Sequence, residues 1–292
     1  MRSFYGAEKR RSYFEGWYFK QQNDTETVAF IPAWHVDSAG RSSASLQVIT
    51  GGGSYCADFP ARAFEADETR LLVRVGASVF SSRGCKLDLQ TEGLSVQGML
   101  RYGPLLSPRG DIMGPLCHVP FLPCRHGVFS LRHTVSGTLT LNGTPIVFDN
   151  GTGYLEGDRG RSFPRRYLWT QCLFPGGSLM LSAAEFPFPG FTGCVGFVLT
   201  GGQEYRIATY RGGTAESVSN RALVLRQGGL MVRAELLGGD AHSLRAPQAG
   251  CMTRTIREGA ACRVHYVCTQ NGRTLLDLIS DQAGFEGNWD HA

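Results

Sequence analysis

The sequence predicts an all-β fold, antiparallel throughout, and three observations carry that prediction. Apolar and polar residues alternate with period two over many short runs, as strands with a face on a core require. Turn dipeptides of the two-residue hairpin kind join the runs: Asn142-Gly143, Gly201-Gly202 and Asn271-Gly272. No amphipathic helix longer than two turns emerges, although "AFEADETRLLVRV" (63–75) is able to begin with one.

The opening stretch "YFEGWYFKQQ" (13–22) packs aromatics beside charges, unlike a filler strand of Val, Ile and Leu. Alternation places Glu15, Trp17, Phe19 and Gln21 on one face and Tyr18 and Lys20 on the other; Trp34 and His35 follow on the returning strand. "GGGSYC" (51–56) lacks the helix and lysine of a phosphate loop. The proline-rich segment 101–124 reads as an irregular loop, either a site wall or packing, because it also holds Ile112, Met113, Leu116, Phe121 and Leu122. His126 and His133, seven apart, fall on opposite faces of a regular strand, which argues against a shared metal.

"GTGYLEGDRGRSFPRRYLWTQC" (151–172) is the second dense stretch. Tyr154, Glu156 and Asp158 share a face, next to Trp169 and Gln171, which makes an acid site in aromatic surroundings; a strand end with solvated carboxylates fits the pattern equally. "YLWTQCLFPGGSLMLSAAEF" adds a hairpin turning at Pro175-Gly176-Gly177, and faintly echoes the Trp-bearing strand and return of the N-terminus. The chain therefore divides near residue 150, at "FDNGTG", into domains 1–150 and 151–292.

Composition excludes several function classes. With 292 residues, 42% of them hydrophobic, the chain holds enough core for one large β domain or two smaller ones. The net charge is +4, the arginines are dispersed, and Arg10-Arg11 and Arg165-Arg166 are too short for a nucleic-acid-binding tract. Nine cysteines, an odd number without zinc-type spacing, predict free thiols in a reducing cytoplasm, with no disulfide and no metal. Dinucleotide, Walker, nucleophile-elbow and HExxH motifs are missing, so no cofactor is expected. Uncharged runs are broken by Gln171, Pro175, Pro187 and Pro189, which predicts no membrane-spanning helix; peripheral membrane contact stays open.

"YFEGWYFK", "DIMGPLCHVPFLPCRHGVFSLRHTVSGTLTLNG", "GTGYLEGDRGRSFPRRYLWTQC" and "APQAGCMTRTIREG…AGFEG" together resemble the tocopherol cyclase family, from about residue 4 to 287. One position departs: Arg159 stands where the family pattern has Trp. The resemblance implies two lipocalin-like β-barrels, or strongly curved sheets, packed around an apolar cavity. It implies a hydrophobic, prenylated substrate, and, since no transit peptide opens the sequence, a bacterial relative or a mature form.

The implied chemistry protonates a trisubstituted alkene, and a phenol oxygen captures the cation. That needs a carboxylic acid kept protonated in an apolar pocket and aromatic faces that stabilise the cation. Glu156 is ranked first as acid, Asp158 second and Glu15 third; Tyr154 with Glu156 is similar to an acid pair of the carotenoid hydratases. His126 or His133 would position the acid or return its proton. Trp17, Tyr18, Phe19, Trp34, His35, Trp169 and Gln171 would bind substrate, with Trp17, Phe19, Tyr154 and Trp169 lining the cavity. Hydration of an isoprenoid double bond and non-catalytic lipid carriage are the rival readings.

Overall fold

A computed structural model describes residues 3–120, 122–186 and 190–289, so Phe121, Pro187 and Pro189 lie outside the described residues. The first sheet runs through β1 (Tyr13–Gln22), β2 (Thr27–Val36), β3 (Ser42–Thr50), β4 (Gly53–Pro60), β5 (Phe64–Ala66), β6 (Leu72–Val75), β7 (Ser78–Ser81), β8 (Gly84–Thr91), β9 (Leu94–Tyr102), β10 (Cys124–Leu141) and β11 (Thr144–Gly160). The second holds β12 (Tyr167–Phe174), β13 (Gly177–Glu185), β14 (Thr192–Thr200), β15 (Gln203–Ala208), β16 (Thr214–Val218), β17 (Ala222–Gln227), β18 (Leu230–Gly238), β19 (His242–Gln248), β20 (Cys251–Gln270) and β21 (Arg273–Asn288). All pairings among them are antiparallel, and each sheet curls into a nearly closed, lipocalin-like barrel.

The hairpin dipeptides do what their chemistry allows. Asn142 and Gly143 take φ of 49° and 82°, and Asn271 and Gly272 take 51° and 80°, the left-handed pair that a two-residue turn needs. Two expectations are corrected. The 63–75 run forms strands after a three-residue 3₁₀ turn, Ala61–Ala63, that ends at its first residue, because its apolar residues pair within the sheet and pack inward rather than along a helical stripe. Residue 150 falls inside β11, and the sheets part only between Gly160 and Tyr167: β11 continues to pair with β1 and β10 past its left-handed Asn150, φ 58°.

Three apolar clusters organise the interior. One fills the first barrel around Trp17, Phe19 and Phe80, and one fills the second around Leu168, Val264 and Tyr266. A third lies between the sheets and joins Tyr18, Ile49 and Tyr154 to Trp169, Met180 and Phe197. β1 and β12, the opening strands of the two sheets, occupy equivalent places: each pairs with the strand after it and with the last strand of its own sheet. Both faces of β1 are consequently buried, one in its barrel and the other against the second sheet.

Candidate active site

Alternation puts Gly16, Tyr18 and Lys20 of β1 and Tyr154, Glu156 and Asp158 of β11 on the face that meets the second sheet. Tyr18 stands opposite Glu156, and His126 of β10 stands opposite Asp158. In the second sheet Trp169 of β12 lies opposite Glu286 of β21, and Glu286 opposite Glu258 of β20. Each sheet therefore brings an aromatic side chain paired across strands with a glutamate, and the two pairs meet at the junction.

Hydrogen bonds tie the pairs together. Glu156 Oε2 accepts from Tyr154 Oη at 2.6 Å and from Trp169 Nε1 at 3.2 Å, so the indole of one sheet holds the carboxyl of the other. Tyr18 reaches the opposite way and donates to Glu258 Oε1 at 2.7 Å. Tyr167 donates to Glu286 Oε1. The rings of Tyr18 and Trp169 meet edge to face with centroids 5.4 Å apart.

Charge is sorted by environment. Burial pushes Glu258 up to about 8; the Glu156 charge adds to the rise, and the Tyr18 bond and Lys20 oppose it. Glu286 is raised well above the carboxylate range by burial and by the charges of Asp158 and Glu156. Burial acts to drive the proton off His126, but the charges of Glu156 and Asp158 outweigh it and hold the imidazole well above its ordinary value. Lys20, fully buried, is brought down to about 8 by burial and donates to the Gln282 carbonyl at 2.8 Å.

His126 Nδ1 lies 3.1 Å from Asp158 Oδ1, and its Nε2 lies 3.3 Å from Glu156 Oε2, within ion-pair reach although off the line of a hydrogen bond. Ligand atoms of His126, Glu156 and Asp158 all fall within 4.8 Å of one another, close enough to hold a metal. The arrangement suits a clamped imidazolium better, because the carboxylates address different nitrogens of one ring, whereas a metal takes a single nitrogen.

These groups border a cavity of about 190 Å³ between the sheets, bounded by Tyr18, His126, Glu156, Trp169, Glu258 and Glu286. Met113 and Leu116 of the proline-rich segment form part of its wall. An apolar cavity of ~150 Å³ accepts a benzene ring, so this one has room for about one ring or prenyl unit, and anything longer extends past the rim.

The structure brings Tyr18, His35, His126, Glu156, Asp158 and Trp169 to the cavity, with Trp17 at its margin. Tyr154 touches it only through its bond to Glu156, and Gln171 is buried between the sheets away from it. Other expected site residues lie elsewhere. Phe19, Trp34 and Glu15 are on the opposite faces of β1 and β2, where Phe19 packs on Phe80 and Trp34 on Phe64, and Glu15 accepts from Tyr13 Oη and the Tyr5 amide. His133 turns into the first barrel beside Tyr102, because two one-residue register shifts in β10 leave its parity opposite to that of His126. Arg159 also faces away, with its guanidinium over the Tyr5 ring, and does not line the cavity. His35 donates to or accepts from Ser45 Oγ at 2.9 Å and is brought down to about 4 by burial.

Sequence reasoning missed Tyr167, Glu258 and Glu286. A partial signal was available: of five Glu-Gly pairs, those at 15–16, 156–157, 258–259 and 286–287 fall one on each of β1, β11, β20 and β21, and the fifth, 92–93, is an exposed turn between β8 and β9.

No protein-family model matches the chain, and no curated protein matches it. Among solved structures, a protein assigned as AttH from Nitrosomonas europaea is similar with a TM-score of 0.57 at 13% identity, over 94% of this chain and 92% of its own. Kievitone hydratase from Nectria haematococca is similar with a TM-score of 0.53 at 12% identity, over 98% of this chain and 93% of its own. CghA is similar with a TM-score of 0.59 at 8% identity, over 96% and 89%. At these identities the likeness establishes shared architecture: two lipocalin-like sheets over nearly the whole chain.

Proposed function

We propose that this protein is an enzyme that protonates an alkene carbon of an isoprenoid-type substrate and lets an oxygen nucleophile capture the resulting cation. The observation that carries the reading is Glu258, a carboxyl bordering an apolar cavity and held protonated at neutral pH by its burial. Its Oε1 accepts from Tyr18, which leaves the proton on Oε2. Protonating carbon takes a neutral acid out of water, and the edge-to-face Tyr18 and Trp169 rings offer π-faces to a cation, worth up to ~2 kcal/mol when desolvated.

The step balances within the site. The proton leaves Glu258 for the less substituted alkene carbon, and the tertiary cation takes an oxygen lone pair. That oxygen loses its proton to the Glu156 carboxylate, which His126 and Trp169 hold in place. Proton exchange with solvent then returns a proton to Glu258 and removes the one gained by Glu156. A phenol of the same substrate as nucleophile gives a chroman-type ring, the reading supported by the sequence blocks that resemble the tocopherol cyclases. Water as nucleophile gives a hydratase, and kievitone hydratase shares the architecture. A passive carrier has no use for three glutamates around its ligand, since burying ionisable groups is costly.

Turnover of a short prenylated hydroquinone in heavy water tests the reading. The expected product is isomeric with the substrate and carries one deuterium at the protonated carbon. A product heavier by one water identifies the hydratase, and recovery of several prenyl phenols unchanged and unlabelled leaves only the carrier.

A further inference from the structure

The region where the link 162–165 lies against the second sheet is lined unlike the cavity. A groove of about 1100 Å³ there is bordered by Arg165, Arg221, Arg254 and Arg257, and by no carboxylate among the described residues. None of the four arginines is ion-paired among those residues, whereas Arg226, Arg233 and Arg245, on the same sheet, each have an acidic partner. Backbone carbonyls hold three of the guanidinium groups at one side. Arg254 donates to Pro164 O at 2.6 Å and Arg165 O at 2.9 Å, Arg257 to Ala241 O at 2.6 Å, and Arg221 to Leu236 O at 2.9 Å. Each keeps further N–H donors for a ligand, in the fork geometry that matches phosphate. The floor is apolar, with Leu236 and Phe285, and Phe163, Pro247 and Ile256 border both this groove and the cavity.

We propose that this groove binds a phosphate or diphosphate ester with an apolar tail, its charged end among the four arginines and its tail along Phe163 and Ile256. Four positive charges, three of them held by backbone carbonyls and none with a counter-charge among the described residues, favour a multiply charged oxyanion over a single carboxylate. The apolar floor favours an ester over the free ion. The site is separate from the glutamates of the cavity, so its occupancy is read by binding alone and stands or falls apart from the alkene chemistry.

Calorimetric titration of the full chain with geranyl diphosphate, inorganic diphosphate and geraniol is the test, with phosphatidylglycerol vesicles as a fourth arm. Geranyl diphosphate is expected to bind most tightly and inorganic diphosphate more weakly, both with an affinity that falls as salt rises. Charge-assisted contacts of this kind contribute roughly tenfold each, so the double variant Arg221→Gln/Arg257→Gln is expected to lose about 100-fold for both anions and little for geraniol. Both side chains are exposed, and a circular dichroism spectrum and melting curve like the wild type's confirm the variant's fold. Arg221→Lys/Arg257→Lys is expected to recover part of the loss. Equal diphosphate affinity in wild type and the Gln variant, no saturable binding of either anion, or binding only to vesicles overturns the proposal.

Discussion

At Glu258 the same burial that keeps the acid protonated also sets how the protein answers pH. Its folded value of about 8 lies above the ordinary 4.5, so the folded state keeps a proton that the unfolded chain has lost. The stability this contributes is fully present below pH 4.5 and is lost as pH rises through 8. Glu258→Gln removes that dependence, so the variant is expected to gain on the wild type in urea midpoint between pH 4.5 and 8; a constant gap across that range refutes the assignment. Catalysis follows the same proton. kcat/KM is expected to be level up to neutrality and to fall tenfold per pH unit above about 8. Glu258→Gln is expected to lose ~10²–10⁴ in kcat. Glu156→Gln separates acid from base: if it alone stops deuterium entering the product, Glu156 is the proton donor, as the spacing of Tyr154 and Glu156 first suggested.

Strands decide which side chains meet, and here the sequence was legible only in part. Turn dipeptides placed the hairpins at Asn142-Gly143, Gly201-Gly202 and Asn271-Gly272, because left-handed backbone demands Asn or Gly and so marks the chain. Alternation also sorted the residues of β1 correctly into two sets. It could not say which set meets the substrate, since both faces of β1 are buried and the usual contrast of apolar and polar faces is absent. Phe19 thus looked like a site residue on its aromatic character, yet it fills a barrel, and Trp17 packs in the same barrel core while reaching the margin of the cavity. Glu258 and Glu286 escaped notice because they come from β20 and β21, whose sequences show no aromatic cluster around them. One backbone position tests the element directly. A Cβ on Gly284 of β21 stands 2.9 Å from the Trp169 ring, too close to fit unless the indole moves. Gly284→Ala is expected to cost ~1–3 kcal/mol by overpacking, and to lower kcat further than KM by lengthening the Trp169–Glu156 bond. Unchanged kcat in a folded Gly284→Ala variant removes Trp169 from the machinery.

The site exists only where the two sheets meet, so the protein must hold that junction as firmly as either barrel. Polar contacts cross it at several depths: Lys20 to the Gln282 carbonyl at 2.8 Å, Gln22 to the Leu173 carbonyl at 3.3 Å, Gln47 to the Arg245 carbonyl at 3.0 Å, and Arg132 to the Gly177 carbonyl at 3.0 Å. Between them lies the apolar cluster that draws on both sheets, from Tyr18 and Tyr154 to Trp169 and Phe197. Separating the barrels exposes that cluster and strands a buried lysine and its glutamates, so neither barrel is stable at the expense of the other. Unfolding is therefore expected as one cooperative transition, although chains of this size often split into two. Native thiols report it without substitution. Cys85 sits in the core of the first barrel and Cys268 in that of the second, both buried. Pulsed alkylation along a urea series, read residue by residue by mass spectrometry, should expose them at the same midpoint. If Cys268 reacts at a lower urea concentration while Cys85 stays protected, the second barrel opens by itself, and the cavity with its opposed glutamates would be lost before the first barrel unfolds.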